Sequence, residues 1–211
     1  RSDLSKKQRD DLNKIHDAGN ALLGIINNIL DFSKIEAGKM EIDYSPFSLD
    51  DVINHLTTVT AQKAEEKGLR LQIDLPEHIP RFLVGDAMRL GQILINLVNN
   101  AIKFTEHGQV RLSVGLDDAV NSLMAKRLSL HFAIHDTGIG MSEDQLSRLF
   151  SAFTQADSST SRRFGGTGLG LSISHQLVDL LGGQIRVNSE LEVGSCFEFT
   201  LPFEICSEAT L

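Results

Sequence analysis

Three short stretches of the chain hold residues that could do chemistry, and each also has a plainer reading. In Asn96-Leu97-Val98-Asn99-Asn100-Ala101-Ile102-Lys103-Phe104, the amides Asn96 and Asn100 and the cation Lys103 stand at i, i+4 and i+7. On a helix these positions share one face. A carboxamide oxygen is a hard ligand of the kind Mg²⁺ accepts, and a lysine offers phosphate a point charge. The plainer reading is a solvated helix face. In Asp136-Thr137-Gly138-Ile139-Gly140-Met141, a carboxylate follows an apolar run with strand character. It could accept a hydrogen bond from an exocyclic amine such as adenine carries. The glycines would let the backbone turn tightly against a flat ligand. An ordinary Asp-Gly turn has the same composition. In Gly165-Gly166-Thr167-Gly168-Leu169-Gly170-Leu171, glycines open a helix, where unshielded backbone N–H groups attract anions. A Gly-rich turn without a ligand is the alternative there. Other phosphate loops are absent: no G-x-x-x-x-G-K-[ST] occurs, and Leu171 stands where the last glycine of G-x-G-x-x-G would fall. The catalytic loop and D-F-G of protein kinases are missing as well.

These stretches need elements to position them, and the chain is long enough to supply them. Its 211 residues are 41% hydrophobic and 23% charged, enough for a real core without disulfides or a structural metal. Twenty Lys and Arg against 28 Asp and Glu leave a net charge of −8, which argues against a general nucleic-acid binder. Cys196 and Cys206 fit neither a metal-ligand spacing nor a disulfide framework, and a reducing compartment is the simpler reading. The apolar run 22–30 is broken by Gly24, Asn27 and Asn28, so no membrane span is expected; no signal peptide is visible either. The chain starts without Met, in charged helical sequence, and reads as an excised piece of something longer.

Residues 3–37 predict one long helix, with Leu12, Ile15, Leu22, Ile25, Ile26, Ile29, Phe32 and Ile35 at helical spacing and Gly38 as its stop. At ~1.5 Å per residue it would run roughly 50 Å, too long for one face of a small domain, so its apolar stripe wants a partner helix; a surface helix packed on its own domain is the alternative. Residues 39–44 read as a short strand broken by Pro46. Ser48 with Asp51 starts a helix ending near Gly68, and residues 69–75 alternate like a strand. Residues 87–104 are helical, while 110–116 and 128–136 are strands. Ser142 with Gln145 caps a short helix. Residues 169–181 form a helix ended by Gly182-Gly183, and 184–188 with 195–202 form a closing hairpin. The pattern predicts a helical arm followed by an α+β domain with helices on one face of a mixed sheet.

Taken together and in order, the three stretches resemble the N box and the two glycine boxes of the histidine kinase ATP-binding domain. Leu149-Phe150-Ser151-Ala152-Phe153-Thr154-Gln155 resembles that family's F box. Ile26-Asn27-Asn28-Ile29-Leu30-Asp31-Phe32-Ser33-Lys34-Ile35-Glu36-Ala37-Gly38-Lys39 resembles the end of its dimerisation helix. The likeness runs from about residue 12 to 202. Residues 155–166, Gln155-Ala156-Asp157-Ser158-Ser159-Thr160-Ser161-Arg162-Arg163-Phe164-Gly165-Gly166, are most similar to hybrid sensor kinases, which carry receiver domains downstream.

The resemblance implies a two-layer α/β sandwich of the Bergerat type, shared with gyrase, Hsp90 and MutL, preceded by a long coiled-coil-like helix. Residues 1–38 would be the second helix of a dimerisation hairpin. Residues 39–205 would be the ATP-binding domain with a lid at about 153–167, and 206–211 a tail. ATP and Mg²⁺ are the implied cofactors. Asn100 would ligate Mg²⁺, with Asn96 and Lys103 near the phosphates. Asp136 would accept from adenine N6, while Gly138, Gly140 and Met141 shape the pocket and Phe104 packs at its edge. Phe153 would begin the lid. Gly166, Thr167, Gly168, Leu169 and Gly170 would hinge it and present amides. Arg162 or Arg163 could reach the γ-phosphate, or could be solvated loop charges. The implied partners are a phosphoacceptor helix of the same or a second protomer and a response-regulator receiver domain. The implied parent is a homodimer anchored in a bacterial inner membrane, with this part cytoplasmic.

The family's phosphoacceptor box is missing. None of His16, His55, His78, His107, His131, His135 and His175 begins an H-E-x-R-T-P-type pattern. The expectation is therefore a piece that binds ATP but cannot label itself. Two other functions compete. A gyrase- or Hsp90-type clamp ATPase would place a glutamate one helical turn before the Mg²⁺ asparagine, where this chain has Asn96, an amide that cannot act as a base. A dimerisation module insensitive to nucleotide would not need intact amide and glycine boxes.

Overall fold

The computed structural model describes residues 5–117, 127–150 and 168–206. The chain divides into two compact units, residues 1–40 and 41–211. The first is a single helix, α1 (Lys6–Glu36). Ser5 opens it with a capping box: its hydroxyl accepts from Gln8 N at 3.3 Å, and its own N–H donates to Gln8 Oε1 at 2.9 Å. Gly38, at φ +64°, closes it, turning the N–H groups of Gly38 and Lys39 back onto the carbonyls of Ile35 and Lys34. Its apolar stripe is exposed, Ile15 by 68% and Leu22 by 57%.

The second unit is a seven-stranded mixed sheet with helices on one face. In chain order its elements are β1 (Ser45–Ser48), α2 (Leu49–Glu66), β2 (Arg70–Asp74), β3 (Phe82–Gly85), α3 (Ala87–Phe104), β4 (Gln109–Leu116) and β5 (Arg127–Asp136). After these come α4 (Glu143–Ser147), α5 (Gly170–Leu180), β6 (Gln184–Glu190) and β7 (Gly194–Ile205). The strand order is β1-β3-β7-β5-β4-β2, with β6 also pairing along β7. Only β2 and β4 run parallel among these pairs. The covered face is built from alternate residues, as a pleated strand requires. Val110, Leu112 and Val114 of β4, Leu130, Phe132 and Ile134 of β5, and Phe197, Phe199, Leu201 and Phe203 of β7 are all buried. Phe132 stacks on Phe199, ring centroids 4.8 Å apart, across the register pair that joins their strands.

Helix α3 packs against both α2 and α5. Leu90, Ile93, Leu94, Leu97, Val98, Ala101 and Ile102 bury its apolar face. Its N-cap is the buried Asp86, whose carboxylate accepts from Arg89 N at 2.9 Å and from Asp43 N at 3.1 Å. One side chain thus caps the helix and ties down the chain that enters the domain.

One expectation needs correcting, and one strand carried no sequence signal. Residues 39–44 join no ladder; the strand is β1, which contains Pro46 instead of ending before it. Pro46 is tolerated because β1 lies at the sheet edge and, among the described residues, pairs only with β3, so a missing N–H breaks no inner ladder. Strand β3 was not expected at all: its four residues follow Pro80 with too short a pattern to register.

Candidate functional site

Four of the predicted residues, Asn96, Asn100, Lys103 and Phe104, sit on α3, and the structure gives them different surroundings. Asn96 Nδ2 donates to Ser174 Oγ of α5 at 2.8 Å. A Cβ on Gly170, the first residue of α5, would lie 2.5 Å from Asn96 Oδ1. A side chain at 170 would therefore displace the Asn96 amide. Asn99, on another side of α3, accepts from Lys63 Nζ of α2 at 3.0 Å. Asn100 is partly buried, and its carboxamide makes no hydrogen bond among the described residues. Lys103 lies with Nζ 4.8 Å from the Phe104 ring centroid, and burial holds its pKa below the ordinary lysine value.

The end of α3 is held by a residue that spacing could not reveal. Lys67 Nζ donates to the carbonyls of Ile102 and Lys103, both at 2.7 Å, and of Thr105 at 3.2 Å. A cation there satisfies orphan carbonyls and complements the helix dipole. It also fixes the backbone from which Lys103 and Phe104 project. The contact spans more than thirty residues, and an exposed lysine after a helix carries no local sign of it.

Asp136 ends β5 on the covered face, opposite Val110 and Ser195. Its Oδ1 accepts from Gly138 N at 2.8 Å and from Ser195 N at 3.3 Å. Its Oδ2 has no partner among the described residues. Burial pushes its carboxyl above the ordinary value, against the pull of the two backbone N–H groups and of His135. The following loop is clamped on both sides. A Cβ on Gly138 would lie 2.5 Å from the Phe104 carbonyl oxygen, which accepts from Ile139 N at 3.3 Å. Gly140 sits at φ +63°, and a Cβ there would collide with the Glu190 carbonyl. Ile139 O accepts from Glu192 N at 2.7 Å. The loop therefore lies between the end of α3 and the β6–β7 turn, with Met141 partly buried beyond it. Thr137 adds a tether unseen in the sequence, its hydroxyl accepting from Gln109 N at 3.1 Å.

Gly168, at φ +71°, and Leu169 lead into α5. Leu169 supplies no side-chain cap to that helix, and its own side chain is buried in the core. Phe153, Arg162, Arg163, Gly166 and Thr167, with the expected lid, lie outside the described residues. A groove of about 610 Å³ exists elsewhere, between α2 and β2. Its lining, including Ile53, Ala61, Leu69 and Ile73, is mostly apolar and contains none of these groups.

The layered sheet, with an amide-bearing helix facing a glycine loop, defines a nucleotide-binding fold of the Bergerat class. The family described as "Histidine kinase-, DNA gyrase B-, and HSP90-like ATPase" matches residues 85–205, and the chain belongs to it. Within that family its likeness is to hybrid sensor histidine kinases. It is 44% identical to "Hybrid signal transduction histidine kinase B" of Dictyostelium discoideum over 100% of this chain and 10% of that protein. It is 43% identical to "Signal transduction histidine-protein kinase BarA" of Escherichia coli over 97% of this chain and 22% of that protein. The chain thus spans a tenth to about a fifth of the curated relatives it matches. Among solved structures, full-length ShkA in complex with AMPPNP aligns at a TM-score of 0.78 and 31% identity, covering 98% of this chain and 41% of that one. The fold is that of a histidine kinase catalytic domain, as the sequence predicted.

Proposed function

We propose that this domain binds Mg-ATP between α3, the Asp136 loop and the start of α5, and donates the γ-phosphate to a histidine on a separate helix. The observation that carries the reading is the state of Asp136. One carboxylate oxygen is held by two backbone N–H groups, while the other has no partner among the described residues. Such a group is aimed by the fold and ready to accept from an amine at low reorganisation cost. Adenine N6 is that amine, with Gly138, Gly140 and Met141 shaping the slot and Phe104 at its edge. Asn100 fits a hard cation, since its amide oxygen has no partner among the described residues on a face that also carries Lys103. When bound there, Mg²⁺ would neutralise phosphate charge. Lys103 would add a cation, kept close by its packing on Phe104. The backbone of Gly168 and Gly170, at the start of α5, would offer N–H groups to the phosphates.

Phosphoryl transfer asks mostly for positioning and charge neutralisation. The acceptor imidazole is itself the nucleophile: a nitrogen–phosphorus bond forms as the γ-phosphorus–oxygen bond to ADP breaks. No general base is needed from this domain. A clamp-type ATPase is disfavoured because Asn96, in the place of that class's base, donates its amide to Ser174. The exposed stripe of α1 supports a homodimeric parent pairing such helices, with relay onward to a response-regulator aspartate. No described helix is long and apolar enough to cross a membrane; a membrane anchor, with this domain on the cytoplasmic side, would belong to the parent. Mg-ATP should bind as measured by calorimetry. A separate first-helix peptide bearing the acceptor histidine should then take acid-labile, alkali-stable label from γ-labelled ATP. Tight ATP binding without label on that peptide would reduce the domain to a nucleotide-binding module. No binding at all would overturn the assignment.

A further inference from the structure

The sheet face turned away from the helices carries a cluster that nucleotide binding does not use. Strand register sets His135 of β5 directly opposite Cys196 of β7, and Glu198 lies two residues further along β7 on the same face. The Cys196 thiol is 3.2 Å from His135 Nε2 and donates to Glu198 Oε1 at 3.6 Å. All three ligand atoms lie within 4.8 Å of one another. Cys196 is buried and Glu198 partly so, while His135 is exposed. We propose that His135, Cys196 and Glu198 form a binding site for Zn²⁺, with solvent in the fourth position.

Geometry and ligand chemistry both favour this ion. Tetrahedral zinc holds sulfur at ~2.3 Å and nitrogen or oxygen at ~2.0–2.1 Å, so the edges from sulfur span about 3.5 Å. The two observed edges, 3.2 and 3.6 Å, already match, and the third closes by rotation of the exposed His135 side chain. A thiol with an imidazole is a poor set for Mg²⁺ or Ca²⁺ and a good one for zinc. Two cations face the cluster across the ladders. Arg111, opposite His135, is paired with Asp74. Arg186 stands opposite Glu198 in the β6–β7 register, with no ion pair between them among the described residues. The thiol is pushed up to about 12 by burial and by Glu198, so it is protonated until metal arrives. Binding exchanges the sulfur–hydrogen bond for a sulfur–zinc bond and releases that proton to solvent. The His135–Cys196 pair lies one register step from Asp136–Ser195 and on the opposite face. The ion would therefore clamp together the two strands that hold the Asp136 carboxylate.

The test uses the whole 211-residue chain without nucleotide, which would itself chelate the metal. Co²⁺ serves as an optical probe, and Zn²⁺ binding is measured by equilibrium dialysis. One Co²⁺ per chain should bind with a thiolate charge-transfer band and tetrahedral absorption, both erased by Zn²⁺. Cys196→Ser should abolish the band, and His135→Gln should weaken Zn²⁺ binding by at least about tenfold. Cys206→Ser should change neither. If Cys196→Ser proves unfolded by circular dichroism, His135→Gln, at an exposed position, decides the question. Failure to retain metal, a band that follows Cys206, or Co²⁺ bound without any thiolate band would overturn the site.

Discussion

The two ends of the proposed nucleotide site are built in different ways. Around Asp136 nearly everything is backbone. The carboxylate is fixed by two main-chain N–H groups, and Gly138 and Gly140 are pressed against the carbonyls of Phe104 and Glu190. Along α3 the candidate groups are side chains on one helix face. Asn96 is committed to Ser174, whereas Asn100 has no hydrogen-bonding partner among the described residues. In the proposed site the end assigned to the base would be preorganised by the fold, while the end assigned to phosphate would take its final geometry from what binds. Discrimination between bases should then be rigid and costly to disturb. Metal and phosphate binding should be softer and adjustable.

Substitutions can break this contrast in order of size. Gly140→Val puts a branched side chain into a left-handed position already closed by the Glu190 carbonyl. It should cost about 2–5 kcal/mol of stability, read by urea unfolding. A loss below about 0.5 kcal/mol would mean the loop is not clamped. Asp136→Asn keeps the shape but disturbs a charged acceptor. ATP, ADP and adenosine should all weaken by about 1–3 kcal/mol, because all three share the base. A loss confined to ATP would move Asp136 to the wrong end. Asn100→Ala should weaken Mg-ATP by about tenfold, on the order of 1.4 kcal/mol, and leave adenosine unchanged. Equal losses for both ligands would remove its metal role and erase the distinction between the two ends.

What could be read from the sequence follows the same divide between local and distant contacts. Helix α3 was expected at 87–104 and spans Ala87–Phe104, because strong 3.6-residue periodicity is a local signal. The Ser142–Gln145 capping box was legible for the same reason. Pro46 misled because a proline forbids inner strands only, and edge position is a property of the assembled sheet. At the site, residue types singled out Asp136 and Gly140. They could not show that Ser195, fifty-nine positions away, supplies the second N–H to Asp136. Lys67 capping α3 and Ser174 engaging Asn96 were hidden likewise, each an ordinary residue made important by where the chain returns. The His135–Cys196–Glu198 cluster shows the limit most clearly. Its members have no ligand spacing along the chain, and only the β5–β7 register brings them together.

The smallest effect is a pH dependence, and it sharpens the contrast most. Asp136 has its pKa raised above 3.8, chiefly by burial. A carboxyl raised on folding binds its proton more tightly in the folded chain. Its contribution to stability is present in full below the unfolded value and is lost as pH rises through the raised one. Base recognition should move the opposite way, since the ionised carboxylate is the stronger acceptor for an amine. Over that acidic window, stability should therefore fall slightly while affinity for adenosine rises. Adenosine is the right probe because it carries no phosphate to titrate, and it does not engage Asn100 or Lys103 in the proposed site. Asp136→Asn should flatten both trends, since an amide has no proton to lose there. Asn100→Ala should leave them intact, because it acts at the other end. An adenosine affinity flat across the window in the native chain would show that the raised carboxyl is not the group that meets the base.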